Sequence, residues 1–178
     1  SPTIVLALLK KVIKFVLCGL QGTNYPISYP EQKSVIENYM KMIWADEYNP
    51  KKRITSRHFI GPSSKTIQLE NVCSISQYSL EPNVRKSFVV TEKADGHRNL
   101  MYISDNGKIY LIDMNMNVMF TGAKTINKYC FNCLLDGELI RTNKEGEYIN
   151  LYAVFDIYFY DNKDVRSFTF MLLDNEEE

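Results

Sequence analysis

Six consecutive residues, Lys93-Ala94-Asp95-Gly96-His97-Arg98, set an amine, a carboxylate, a flexible turn and a planar anion-binding fork side by side. A lysine amine is a nucleophile only when deprotonated, a state favoured by desolvation or by a neighbouring cation. Gly96 lets the backbone approach a phosphate closely or adopt a positive φ. The guanidinium of Arg98 suits either a ribose or a phosphate. Asp95 can orient Lys93 or simply shape the turn before Gly96, and His97 is given no role. The chemistry open to this grouping is attack by the amine on an anionic electrophile.

Two later stretches carry carboxylates on apolar strands: Leu134-Leu135-Asp136-Gly137-Glu138-Leu139-Ile140 and Tyr152-Ala153-Val154-Phe155-Asp156-Ile157-Tyr158. A carboxylate on such a strand needs a partner if it is buried. For Glu138 that partner would be a metal or Lys93. Asp136 and Asp156 read as structural.

Taken in order, Lys-x-Asp-Gly-x-Arg, Asp-Gly-Glu and the apolar strand with Phe-Asp resemble the three leading blocks of the covalent nucleotidyltransferases, the mRNA capping guanylyltransferases and ATP-dependent ligases. Gly61-Pro62-Ser63-Ser64-Lys65-Thr66-Ile67-Gln68-Leu69-Glu70 resembles the Gly-Pro loop and strand that precede the lysine in capping enzymes. Lys108–Asp113 followed by Asn117-Val118 resembles their hairpin, except that Met114 stands where many of them have a basic residue. The likeness covers roughly residues 57 to 172 and is nearest to the multidomain, mimivirus-like capping enzymes of large DNA viruses. It implies a guanylyltransferase that carries GMP from GTP on a lysine to the 5′-diphosphate end of RNA. Its alternatives are a polynucleotide ligase adenylation domain or a non-catalytic module of the same fold.

The resemblance further implies Lys93 as nucleophile with Asp95 beside it in the catalytic set. Gln68, Leu69, Glu92, Arg98, Glu138 and Tyr152 would contact the nucleotide, with Tyr152 stacking on the base. A divalent Mg2+ or Mn2+ near Glu138 would neutralise triphosphate charge. The family's later blocks, including paired lysines, and its OB-fold domain are not found in this sequence. The chain is therefore expected to be the front part of a nucleotidyltransferase domain, with GTP, RNA and the rest of a capping enzyme (triphosphatase, OB-fold, methyltransferase) as partners.

The elements that must position these residues follow from periodicity. Ile4 to Leu17 repeats apolar residues at helical spacing, and Gly19 and Gly22 end the run. Ser28 with Glu31 is a capping box for a second helix presenting Val35, Ile36, Tyr39, Met40 and Ile43 on one face. These helices read either as a linker packed on a preceding domain or as ordinary core helices. The polar, basic stretch from Asp46 to Arg57 is taken as a boundary, giving residues 1–56 as a helical segment and 57–178 as a partial nucleotidyltransferase domain. Beyond Gly61 the period changes to 2. Ser87–Thr91 reads as a buried strand leading to Lys93. Asp105-Asn106-Gly107 joins a hairpin, a second hairpin runs from Leu134–Thr142 to Tyr148–Tyr160, and a turn at residues 161–164 leads to Ser167–Leu172. The fold class is α+β, an antiparallel nucleotidyltransferase sheet preceded by helices.

Of the 178 residues, 45% are hydrophobic, enough to bury a core, and 12 Tyr and 9 Phe against 1 Trp suit a sheet. Basic and acidic residues balance at 21 each. Any grip on nucleic acid must therefore be a local patch. The four cysteines lack the second pair that a zinc site would need, and reduced thiols in an intracellular, cytoplasmic compartment are expected. The apolar N-terminal run is too short and too lysine-interrupted to span a bilayer, and no membrane partner is expected.

Overall fold

The computed structural model describes residues 2–74, 82–86 and 88–169. Two helices come first, α1 (Pro2–Gln21) and α2 (Tyr29–Trp44). Six strands follow: β1 (His97–Ile103), β2 (Lys108–Asp113), β3 (Val118–Lys124), β4 (Cys133–Thr142), β5 (Tyr148–Tyr160) and β6 (Lys163–Asp164). They form one antiparallel sheet in the order β3-β2-β1-β4-β5-β6. The expected α+β arrangement is observed.

Alternation decides which face each strand buries. Leu100 and Tyr102 of β1, Tyr110 and Ile112 of β2, and Leu134 of β4 point to one face. There they join Val35, Ile36, Tyr39 and Met40 of α2 in the core. The helix starts as its sequence predicts: the Ser28 hydroxyl accepts from the Glu31 amide at 3.3 Å. The Glu31 carboxylate does not close the box. It reaches the sheet instead, accepting from Lys108 Nζ at 2.7 Å and from the Tyr110 hydroxyl at 2.8 Å. α1 has no buried residue, and no described helix is long and apolar enough to cross a membrane.

The first hairpin turns where Asp105-Asn106-Gly107 predicts, with Gly107 at φ 80°. The last turn is tighter than expected. Asp161 and Asn162 take φ 48° and 60°, so Lys163 is already paired with Tyr160. Residues 167–169 form no strand, and 170–172 lie outside the described residues.

Two expected strands are absent. Residues 88–92 are irregular, with Phe88, Val89 and Val90 exposed to 57, 49 and 94%; Ser87 lies outside the described residues. Apolar β-branched composition does not make a strand without a neighbour to supply the ladder, and no described strand pairs with this segment. Residues 62–68 are irregular as well and lead into a single 3-10 turn at Leu69–Asn71. There the Gln68 amide donates to Asn71 Oδ1 at 2.8 Å, a side-chain bond that takes the place of a ladder bond.

Candidate functional site

The lysine turn is fastened to the Asp-Gly-Glu strand. β1 pairs with β4 so that Arg98 lies opposite Glu138. One turn earlier the Gly96 amide donates to Glu138 Oε2 at 2.8 Å. Gly96 is needed for that approach: a Cβ there would sit 2.7 Å from the Leu139 carbonyl oxygen. The glycine thus serves contact with β4 rather than a positive φ.

Lys93 projects from this anchored turn into solvent. Its side chain is 84% exposed, with Nζ 3.7 Å from Asp95 Oδ1 and 3.3 Å from the Ala94 carbonyl oxygen. Asp95 is fully exposed. The turn therefore fixes the base of the lysine and leaves the amine free to swing.

Arg98 lines the same cleft as Gly96 and Glu138, with its guanidinium engaged by protein groups. Its Nε donates to Asp136 Oδ1 at 3.1 Å, and Nη2 pairs with Asp136 Oδ2. Nη1 donates to the Pro62 carbonyl. The guanidinium carbon lies 5.8 Å from both the Phe59 and the Phe155 ring centres, within cation–π range. Asp136, with no exposed surface, also accepts from the Tyr158 hydroxyl. The hydrogen bond to Asp136 raises the Arg98 pKa still further. Burial, then the bond to Asp136, raises that of Tyr158. Asp136 is structural, as read from sequence, and Arg98 is its partner. Gly61 is pressed against this assembly, where a Cβ would meet Phe59 Cε1 at 2.5 Å and Arg98 Nη2 at 2.8 Å.

Tyr152 does not join this group. It pairs with Leu139 rather than with a residue on the Glu138 side. Its ring lies over Gly137, whose Cβ would meet Tyr152 Cζ at 2.7 Å, and its hydroxyl donates to the Asn99 carbonyl at 2.7 Å. The cause is an extra residue in β5. Asp136 faces Asp156, but Gly137 faces Val154, so Phe155 is bulged and the alternation beyond it is reversed. Without that bulge Tyr152 would share the face of Glu138. Burial raises the Tyr152 pKa, and the nearby Asp136 charge adds to it.

The remaining nucleotide-site residues are scattered. Glu92 is exposed in the irregular segment before Lys93. Leu69 is 77% exposed, and neither it nor Gln68 lines either of the two clefts beside the sheet. Two clefts flank the sheet. A cleft of about 1190 Å³ has Gly96, Arg98 and Glu138 in its wall. One of about 680 Å³ is floored by Met101, Leu111, Met119 and Tyr152. Leu139 and Arg141 border both. Among the described residues no three His, Cys, Asp or Glu side chains are grouped to hold a metal ion. Cys133 is buried at the head of β4 and Cys130 is half-buried nearby.

Sequence reasoning missed Phe59 and Tyr158, and it singled out the Gly61-Pro62 loop without foreseeing that the Pro62 carbonyl holds Arg98. Phe59 and Pro62 precede the lysine by some thirty residues, and only the folded chain brings them to Arg98. Tyr158 did carry a signal, a polar-tipped aromatic on an apolar strand with a buried carboxylate in the paired strand.

The catalytic-domain family of the mRNA capping enzymes matches residues 41–172. The chain belongs to that family. It is 28% identical over 147 residues to a probable mRNA-capping enzyme of Acanthamoeba polyphaga mimivirus, covering 83% of this chain and 11% of the viral protein. It is 31% identical over 112 residues to the mRNA-capping enzyme subunit alpha of Schizosaccharomyces pombe, covering 54% of this chain and 28% of that subunit. The chain thus spans a small part of the length of the capping enzymes it resembles.

Proposed function

We propose that this chain carries the nucleophile-bearing part of an mRNA guanylyltransferase. The observation that supports the reading best is the anchored turn: in a chain of the capping enzyme family, the Gly96 amide ties the Lys93 loop to Glu138 of the Asp-Gly-Glu strand at 2.8 Å. In the proposed reaction Lys93 Nζ, once deprotonated, attacks the α-phosphorus of GTP. A P–N bond forms, the bond to the pyrophosphate oxygen breaks, and pyrophosphate leaves. A terminal oxygen of 5′-diphosphate RNA then attacks the same phosphorus, and the P–N bond breaks to return the amine. Asp95, 3.7 Å from Nζ, holds the ammonium form of Lys93 near the turn. The Arg98–Asp136 pair keeps the Gly61-Pro62 loop against the sheet.

The carboxylate set fits a metal shared with the nucleotide and not a caged one. Mg2+ is commonly held by one or two carboxylates together with substrate phosphates, and Glu138 would be that ligand. When bound, the ion would neutralise charge on the triphosphate.

Incubation of the protein, in its native polypeptide context, with α-labelled GTP or α-labelled ATP tests the reading. Covalent label from GTP alone, surviving denaturation and alkali but released by acid as a P–N bond requires, is expected. Label from ATP alone would make it a ligase-type adenylyltransferase, and label from neither would make it a non-catalytic module.

A further inference from the structure

The chain is neutral overall, but its charge is unevenly placed. Residues 48–69 contain Lys51, Lys52, Arg53, Arg57 and Lys65 and no Asp or Glu, so the rest of the chain keeps 16 of the 21 basic residues against all 21 acidic ones. All five basic side chains belong to exposed residues. None has an ion-pair partner among the described residues.

This segment runs along the candidate site. Tyr48, Pro50 and Ile54 line the 1190 Å³ cleft together with His97, Glu138 and Arg141. Lys51, Lys52 and Arg53 are the exposed residues that connect Pro50 to Ile54 along the chain, which puts them next to the cleft lining. The segment is held there at its far end. The buried Tyr39 hydroxyl donates to the His58 carbonyl at 2.7 Å and accepts from the Ile60 amide at 3.2 Å, and the Pro62 carbonyl accepts from Arg98.

None of the acids of the cleft forms an ion pair with Lys51, Lys52 or Arg53. Glu37 is 3.7 Å from Lys33. Asp113 accepts from the Asn115 and Asn117 amides at 2.8 Å each. Glu138 holds Gly96. The cleft also exceeds the roughly 300–1,000 Å³ of a single small-molecule site.

We infer that residues 51–53 and the adjoining cleft form the track for the 5′-terminal phosphates of the single-stranded RNA acceptor. This rests on the guanylyltransferase reading and adds to it the surface that receives RNA. Each phosphate neutralised on a single strand contributes a slope of about −0.7 to the plot of log affinity against log salt concentration. Half-buried Tyr48 supplies an aromatic ring in the same lining for a base to stack on.

The test is equilibrium binding of a 5′-diphosphate oligoribonucleotide, without GTP, across a salt series. It compares the parent protein, Lys51→Ala/Lys52→Ala/Arg53→Ala, and the charge-retaining Lys51→Arg/Lys52→Arg/Arg53→Lys. The neutralised variant is expected to bind roughly ten-fold more weakly at low salt, with a slope shallower by about 2. The charge-retaining variant should keep both affinity and slope. An unchanged slope in the neutralised variant would overturn the proposal. If that variant folds poorly, Lys52→Ala alone should lower the slope by about 0.7, and no change would again refute it. Labelling by α-labelled GTP is scored separately. Label with an unchanged slope removes the RNA track and leaves the chemistry standing; no label with the slope reduced does the reverse.

Discussion

Each of the charged residues near the turn does a different job, and substitution should separate them. Lys93 is exposed and makes no contact that the fold needs, so Lys93→Ala should change stability by less than about 0.5 kcal/mol while abolishing covalent transfer. Lys93→Arg should fail equally, because a guanidinium stays protonated. Asp136→Ala strands the Arg98 charge and should cost about 3–5 kcal/mol. Tyr158→Phe removes one bond to a charged acceptor and should cost about 1.5–3 kcal/mol. Urea unfolding checks the order: Asp136→Ala worst, Tyr158→Phe intermediate, Lys93→Ala indistinguishable from the parent. Asp136's structural role was legible in the residues themselves, since a carboxylate on an apolar strand has few explanations; Lys93 as nucleophile is a proposal that rests on its place before Asp-Gly. The fate of Arg98 was not legible. A guanidinium meets a phosphate or a carboxylate equally well, and only tertiary placement selects Asp136 and Pro62.

At the scale of elements, α2 is latched to the sheet through Glu31. Burial pushes its carboxyl up, but the hydrogen bonds from Lys108 and Tyr110 and the Lys108 charge outweigh this, leaving it below its ordinary value of 4.5. A depressed folded-state pKa contributes stability above the unfolded value and loses it as pH falls through the folded one. The Glu31→Gln variant should therefore be less stable than the parent near neutrality, by less than about 1 kcal/mol because both partners are partly exposed. That difference should shrink as pH drops below 4.5, which parallel urea titrations at several pH values would show; a difference constant down to acid pH would remove the latch. Strand content was legible where hairpin turns fixed it, as at Asp105-Asn106-Gly107. The strands expected at 87–91 and after Gly61 failed because composition carries no information about a partner. The bulge at Phe155 was invisible for a related reason: alternation in β5 reads continuously, and the register slip appears only against β4. Tyr152 consequently supports Gly137 and Asn99. Tyr152→Ala should lower stability by about 1–3 kcal/mol, through the lost hydrogen bond to Asn99 and the partly buried ring, and a variant of parental stability would contradict that placement.

At the scale of the whole molecule, the family match begins within α2, at residue 41, and α2 contributes four buried side chains to the core. α1 contributes none. Deleting residues 2–17 should leave the urea midpoint unchanged, and a clear drop would show that α1 supports the sheet. The basic stretch after Asp46 was legible in the sequence as a boundary; that its neighbours Tyr48, Pro50 and Ile54 line the cleft with Glu138 needed the fold. The account's central claim is that Lys93 carries the nucleotide, and peptide mapping by mass spectrometry after incubation with GTP tests it most directly. In the protein's native polypeptide context, a GMP adduct on the peptide bearing Lys93, absent from Lys93→Ala, is the predicted result. An adduct on any other lysine, or one that persists in Lys93→Ala, would contradict it.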